Sequence, residues 1–242
     1  MAKLRVHNIE SGPASSDVDF GIAGDTVAVS SDSLKLNTWK DSGGNTLFVS
    51  DGAGTLSSVN SGLSGAGPKL ILSQTATAST SISFTANIDS TYDQYLFVFN
   101  DIGPATDNVV LQFQVSTNAG SSYGIAKIST MFDCYNRETA GDNAIYANTP
   151  GSLDDSTSAQ PITRKQGNDA DQSAAGTLSL YGPSSTTYIK NYIGRFQIYT
   201  NDDYSLDSFV AGFVNTTSAV NAIQFTMSSG NFDGTIKMYG VV

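Results

Sequence analysis

The chain has 242 residues, 39% hydrophobic and only 14% charged, with 22 Asp+Glu against 12 Lys+Arg and a net charge of -10. That acidic balance argues against binding a phosphate backbone, which needs a Lys/Arg surface, and against an anionic membrane surface. A single cysteine, Cys134, and a single histidine, His7, exclude an intrachain disulfide, a thiolate cluster and a zinc site.

The low charge content, against the usual quarter, leaves Ser, Thr, Asn and Gln to make the polar surface. Glutamate occurs only as Glu10 and Glu138, so nearly every acid is Asp, a turn residue and a poor helix former. The bias predicts strands and loops. No apolar stretch has signal-peptide or membrane-span length, so the expectation is a protein made and folded in a cytosol, with no membrane insertion.

The first ten residues, MAKLRVHNIE, alternate Leu4 and Val6 with Lys3, Arg5 and His7. One short strand with an apolar and a basic face is predicted. It is either an ordinary first strand or an anchor that docks on an acidic partner surface through Lys3, Arg5 and His7. Residues 11–68 hold short apolar pairs (Val27/Val29, Leu34/Leu36, Leu47–Val49) separated by Gly, Ser and Asp turn signals. So few large side chains cannot bury a core alone, so the segment leans on the later domain or winds with further copies into a β-stalk. Trp39 is a packing anchor under a hairpin or a ligand-stacking ring. Asn60–Pro68 is a small-residue linker, which sets the domains at 1–68 and 69–242.

From Lys69 the alternation predicts an all-β domain, an antiparallel jelly-roll-like sandwich. Expected strands are Lys69–Thr75, Ile82–Ile88, Leu111–Val115, Tyr123–Phe132, Leu178/Leu180, Ile189–Thr200 and Phe209–Val214. Tyr95–Phe99 is continuously apolar and is expected to be a central strand covered on both faces. Ile223–Met227 and Ile236–Val242, joined by Ser228–Asn231 and Asp233-Gly234, are expected to form a closing hairpin. A long polar excursion at about 136–175 is expected to be an exposed insertion that contacts a ligand or a neighbouring subunit.

Few residues carry chemistry. A Ser-His-Asp or Cys-His site would have to use His7. Cys134 follows Asp133, whose charge disfavours a thiolate, and is expected to be a small buried thiol. Asp202-Asp203 with Asp207, Asp154-Asp155, and Asp17 with Asp19 lack calcium-loop spacing and are expected to be solvated loop acids. Asn215-Thr216-Thr217 has the letters of a glycosylation sequon. No enzyme, cofactor or metal is expected. Tyrosines beside acids or amides, among them Tyr146 and Tyr204, suit either sugar or protein contacts.

Three stretches carry a resemblance: LKLNTWKDSGGNTLFVSDGAGTLSSVNSGL, YDQYLFVFNDIGPATDNVVLQFQVSTNAGSSY and SSGNFDGTIKMYGVV. The chain resembles fibre-like or decoration-type virion proteins of tailed bacteriophages, especially phages of marine and photosynthetic bacteria. The resemblance implies a non-enzymatic virion component, made in the host cytoplasm, with a particle-attached or trimeric N-terminal segment and an outward β-sandwich. Expected partners are itself as a homotrimer, other capsid or tail virion proteins, and a host surface glycan. Capsid decoration and tail adhesion both remain open, as does a stand-alone carbohydrate-binding module.

Overall fold

The computed structural model describes residues 38–40, 43–50, 56–57, 59, 67–137 and 141–242. Lys3, Arg5 and His7, together with the apolar pairs before Thr38, lie outside them. The chain divides into two compact units, Met1–Gly65 and Ala66–Val242.

In the first unit β1 (Thr38–Lys40), β2 (Thr46–Ser50) and β3 (Leu56–Ser57) form a three-stranded antiparallel sheet in the order β1-β2-β3. Gly44 takes a φ of +82° in the β1–β2 turn, a backbone state that glycine enters without steric cost. Trp39 pairs with Phe48 across the strands, and the rings stack with centroids 5.5 Å apart. Trp39 thus packs under its hairpin while staying 39% exposed.

The second unit is an antiparallel sandwich. Its strands are β4 (Lys69–Ser79), β5 (Ser81–Phe84), β6 (Gln94–Pro104), β7 (Leu111–Ser116), β8 (Lys127–Arg137) and β9 (Asn143–Ala147), a 3-10 turn at Thr149–Gly151, then β10 (Gln160–Pro161), β11 (Ala174–Tyr181), β12 (Lys190–Tyr199), β13 (Tyr204–Val214), β14 (Ala222–Met227) and β15 (Phe232–Val241). Eight strands form one sheet in the order β4-β15-β6-β11-β12-β13-β8-β9, and four form the other in the order β10-β7-β14-β5. The period-2 patterns determine which side chains enter the core. Leu111, Phe113 and Val115 point inward from β7, and Tyr192, Phe196 and Ile198 from β12, all essentially inaccessible. Phe225 of the small sheet meets Phe97 and Phe99 of the large one edge-on, at 5.5 and 5.0 Å, and Phe113 meets Tyr192 at 5.1 Å. These edge-to-face contacts add to the area buried between layers.

Three expectations need correction. First, residues 222–242 are not a hairpin: β14 pairs with β5 and β7, whereas β15 pairs with β4 and β6. The Ser228–Asn231 turn therefore carries the chain from one layer to the other. Second, β6 is central but covered on one face only. Tyr95, Phe97 and Phe99 are buried, while Leu96 and Val98 are half-exposed on the outer face of the large sheet. Third, the polar excursion is largely built into the fold. Gln160 and Pro161 pair with β7, the Ile162 amide donates to the Leu111 carbonyl at 2.8 Å, and Gln166 bridges to both Val109 and Thr200. Ile162, Thr163 and Gln166 are fully buried. The excursion is thus a side wall that ties the small sheet to the end of β12.

Candidate binding corner

The structure brings two of the sequence-derived candidates, Tyr146 and Tyr204, to one corner of the large sheet. On β8 the alternation points Asp133, Tyr135 and Arg137 to the inner face. Register then places Tyr146 opposite Asp133, Ala144 opposite Tyr135, and Tyr204 opposite Arg137. Tyr135 stacks on Tyr204 at 5.2 Å and 18°, the Arg137 guanidinium lies 4.1 Å from the Tyr204 ring centre, and Tyr146 meets Tyr135 edge-on at 6.0 Å. Arg164 and Lys165 descend from the excursion on the far side. With Tyr135, Tyr146 and Tyr204 they line a cleft of about 300 Å³ that has Leu206 as its apolar wall.

Polar contacts fix the corner. Arg164 donates to the Tyr146 hydroxyl at 2.7 Å and approaches Asp133 at 3.6 Å. Asp133 is fully buried and accepts from Ser208 at 2.7 Å and from Asn148 at 2.8 Å. Tyr135 donates to Asp142 at 3.1 Å, and Asp142 also pairs with Arg137 at 3.1 Å. Lys165 pairs with Asp202 at 2.7 Å, and this hydrogen bond holds the Asp202 carboxyl below its ordinary value. Burial, followed by the charge of Asp133, raises the Tyr146 phenol above its ordinary value, so it is a neutral donor and acceptor at physiological pH.

Each of the three cations in the corner thus has its own carboxylate. The cleft offers hydroxyls, guanidinium N–H groups and ring edges without a net positive field. That suits an uncharged, hydroxyl-rich ligand better than a phosphate or carboxylate group, which would have to displace an acid already in place. Much of the Tyr204 ring face is already taken by Tyr135 and Arg137, so hydrogen bonding has more room than stacking.

A second groove of about 490 Å³ lies beside it, lined by Asn136, Arg137, Gln197 and Asp203 among others. Trp39 belongs to the other compact unit. Tyr135, Arg137 and Arg164 were not singled out from the sequence as site residues. The signal available was the alternation Asp133-x-Tyr135-x-Arg137, which puts all three on one strand face.

Of the remaining candidates, Asp17 and Asp19 lie outside the described residues, and several of the others make ordinary contacts. Ser208 and Asp133 are hydrogen-bonded, but both are sealed from solvent, so this pair presents no nucleophile. Asp207 makes a bidentate contact with Arg195, with bonds of 2.7 and 3.1 Å, and Asp155 accepts from Asn215 at 2.8 Å. Cys134 is half-exposed, not buried, because its side chain falls on the outer face of β8. Among the described residues no group of three acidic, His or Cys side chains is placed to hold a metal, and no helix is long and apolar enough to cross a membrane. No protein-family model matches the chain, and no curated protein matches it either.

Proposed function

We propose that the protein is a non-enzymatic structural component of a tailed-phage virion, a surface fibre or capsid decoration protein whose N-terminal segment docks on the particle and whose jelly-roll-like head faces solvent. The observation that carries this reading is the strand order. From β4 to β7 the chain alternates between sheets at every strand, and it does so again at β10–β11 and β14–β15. Setting aside β8–β9 and β12–β13, two four-stranded layers remain, β4-β15-β6-β11 over β5-β14-β7-β10. This is the double Greek key of a jelly roll, an architecture frequent in viral coat and lectin domains. Fold analogy alone does not assign a role; the sequence resemblance to virion proteins supplies the second support.

In this reading the chain is a homotrimer, its partners are capsid or tail proteins, and Lys3, Arg5 and His7 contact the particle. Gold-labelled micrographs of purified particles test it. Label over the whole shell indicates decoration, label at the tail indicates a fibre, and absence of the protein from washed particles overturns the reading.

The binding corner favours a second reading, a host-glycan adhesin on the tail or a stand-alone carbohydrate-binding module. A glycan array probed with the wild-type protein and with Tyr146→Phe and Arg164→Met separates the two. Binding of a neutral saccharide that both substitutions abolish supports the adhesin. An array with no bound glycan leaves the head a purely structural element.

A further inference from the structure

The outer face of the large sheet carries apolar side chains at Leu96 and Val98 of β6 and, most strongly, on β12, β13, β8 and β9. A sheet face turned to water normally alternates polar side chains outward. β11 and β15 follow this in part: Thr177, Ser179, Thr235 and Lys237 face outward, and so do Tyr181 and Tyr239. The four strands β12, β13, β8 and β9, which lie outside the double Greek key, depart from it furthest. Ile193 is 55% exposed, Phe132 43% and Ile145 73%. Phe132 stacks on Phe209 at 4.6 Å and 6°, and Arg195 lies 4.7 Å from the Phe209 ring centre, so a column of three side chains crosses β12, β13 and β8 in one register row.

We infer that this face is where the head pairs with a second copy of the same chain. Two arguments select that occupant. The first is charge. Across the outward positions of these four strands the only ionised side chains are Arg195 and Asp207, and they neutralise each other. Two copies of net charge -10 repel through most of their surfaces and meet here without penalty. An acidic or basic partner would find no complementary field on the same patch. The second is size. Four strands at about 4.8 Å spacing, one of 5 residues and the others of 10 or 11, span about 600 Å², the lower end of what a specific interface buries per partner. The standard size is about 800 Å² per partner. The anatomy also fits, with an apolar, aromatic centre and an Arg at its margin. Polar contacts alone would not call for an exposed phenyl stack.

This inference does not depend on the virion reading. Any self-association through the N-terminal segment is separate and survives the substitutions used here. Cys134 is the chain's single cysteine and lies on this face opposite Ile145, so it reports the pairing directly. The test uses the full-length chain: sedimentation mass over a range of concentrations, and cross-linking with a short bis-maleimide. Ile145→Glu with Ile193→Glu should weaken head pairing at least about tenfold, roughly one order in Kd, and abolish the Cys134–Cys134 cross-link. Leu70→Glu, a comparably exposed position on β4 at the opposite edge of the sheet, should change neither. If the wild-type chain gives no Cys134 cross-link, or if the double variant has the wild-type mass at every concentration, the face is not a self-interface.

Discussion

Lys127 and Lys190 stand in one cross-strand row on the buried face of the large sheet, with Val214 between them. Both side chains are inaccessible. Their ammonium groups find carbonyls only: Ile125 for Lys127 at 2.8 Å, and Tyr188 and Thr216 for Lys190 at 2.9 and 3.1 Å. Neither makes an ion pair among the described residues. Burial without a carboxylate disfavours the charged form and pushes Lys127 down to about 8 from an ordinary 10.5.

The sign of the pH dependence follows. Between about pH 8 and 10.5 the unfolded chain holds a proton at Lys127 that the folded chain has released, so stability rises with pH across that window. Below it the full penalty applies, up to about 3 kcal/mol. Tyr192 opposes this at the top of the range, because burial raises its phenol and the unfolded chain ionises first above about pH 10. Lys127→Met should therefore stabilise the head by about 1–3 kcal/mol at pH 7. Its advantage should shrink towards pH 10, as read from urea midpoints at a series of pH values.

Asp133 is a buried carboxylate whose two oxygens are both engaged, and it faces Arg164. Asp133→Ala leaves the Asn148 amide and the Ser208 hydroxyl without this acceptor and the guanidinium without its partner. The expected loss is about 3–5 kcal/mol in denaturant unfolding. Arg164→Met removes a partly exposed side chain but leaves the buried Asp133 without its cation, so it should also destabilise, by about 1–3 kcal/mol.

Gln160 bridges the excursion to the core, donating to the Gly151 and Pro161 carbonyls at 2.8 and 2.9 Å and accepting from the Tyr192 hydroxyl at 2.7 Å. Gln160→Leu should destabilise by at least about 2 kcal/mol, since it strips partners from buried groups. In a double-mutant cycle, adding Tyr192→Phe should cost less than the sum of the single changes, because one of the lost bonds is shared.

Gly234 has a φ of +130° at an irregularity of β15, and a Cβ there would stand 2.7 Å from the Asp101 carbonyl oxygen. Gly234→Ala should lower stability by about 1–3 kcal/mol through combined backbone strain and overpacking, visible as a fall in Tm.

The strands that follow strict alternation were legible in the sequence. Leu111–Val115 and Ile189–Thr200 correspond closely to β7 and β12, because a half-buried strand must place every second side chain in the core. Alternation says which face is buried and nothing about the neighbouring strand, so Ile223–Met227 and Ile236–Val242 looked like partners and belong to different sheets. The excursion escaped for another reason. Its buried positions are largely amides and hydroxyls, such as Asn148, Gln160, Thr163, Gln166 and Gln172, which carry no hydrophobic period. At the corner, Tyr146 and Tyr204 were visible as tyrosines near polar residues. Their convergence depends on the β9-β8-β13 pairing, and Arg164, which completes the cleft, sits in a segment read as exposed loop.

The place of β15 between β4 and β6 bears on how the domain comes into being. β4 and β6 are separated in space by one strand's width, and the 10 residues of β15 fill it, pairing with both neighbours. A nascent chain that already contains β4 through β14 therefore holds two strands that have no ladder between them. Closure waits for β15 to emerge from the ribosome, and pairing over such sequence distances is slow. Until then the inward faces of β4 and β6 are open to other chains, so the interval before β15 is made is the one in which a chaperone has the most to protect.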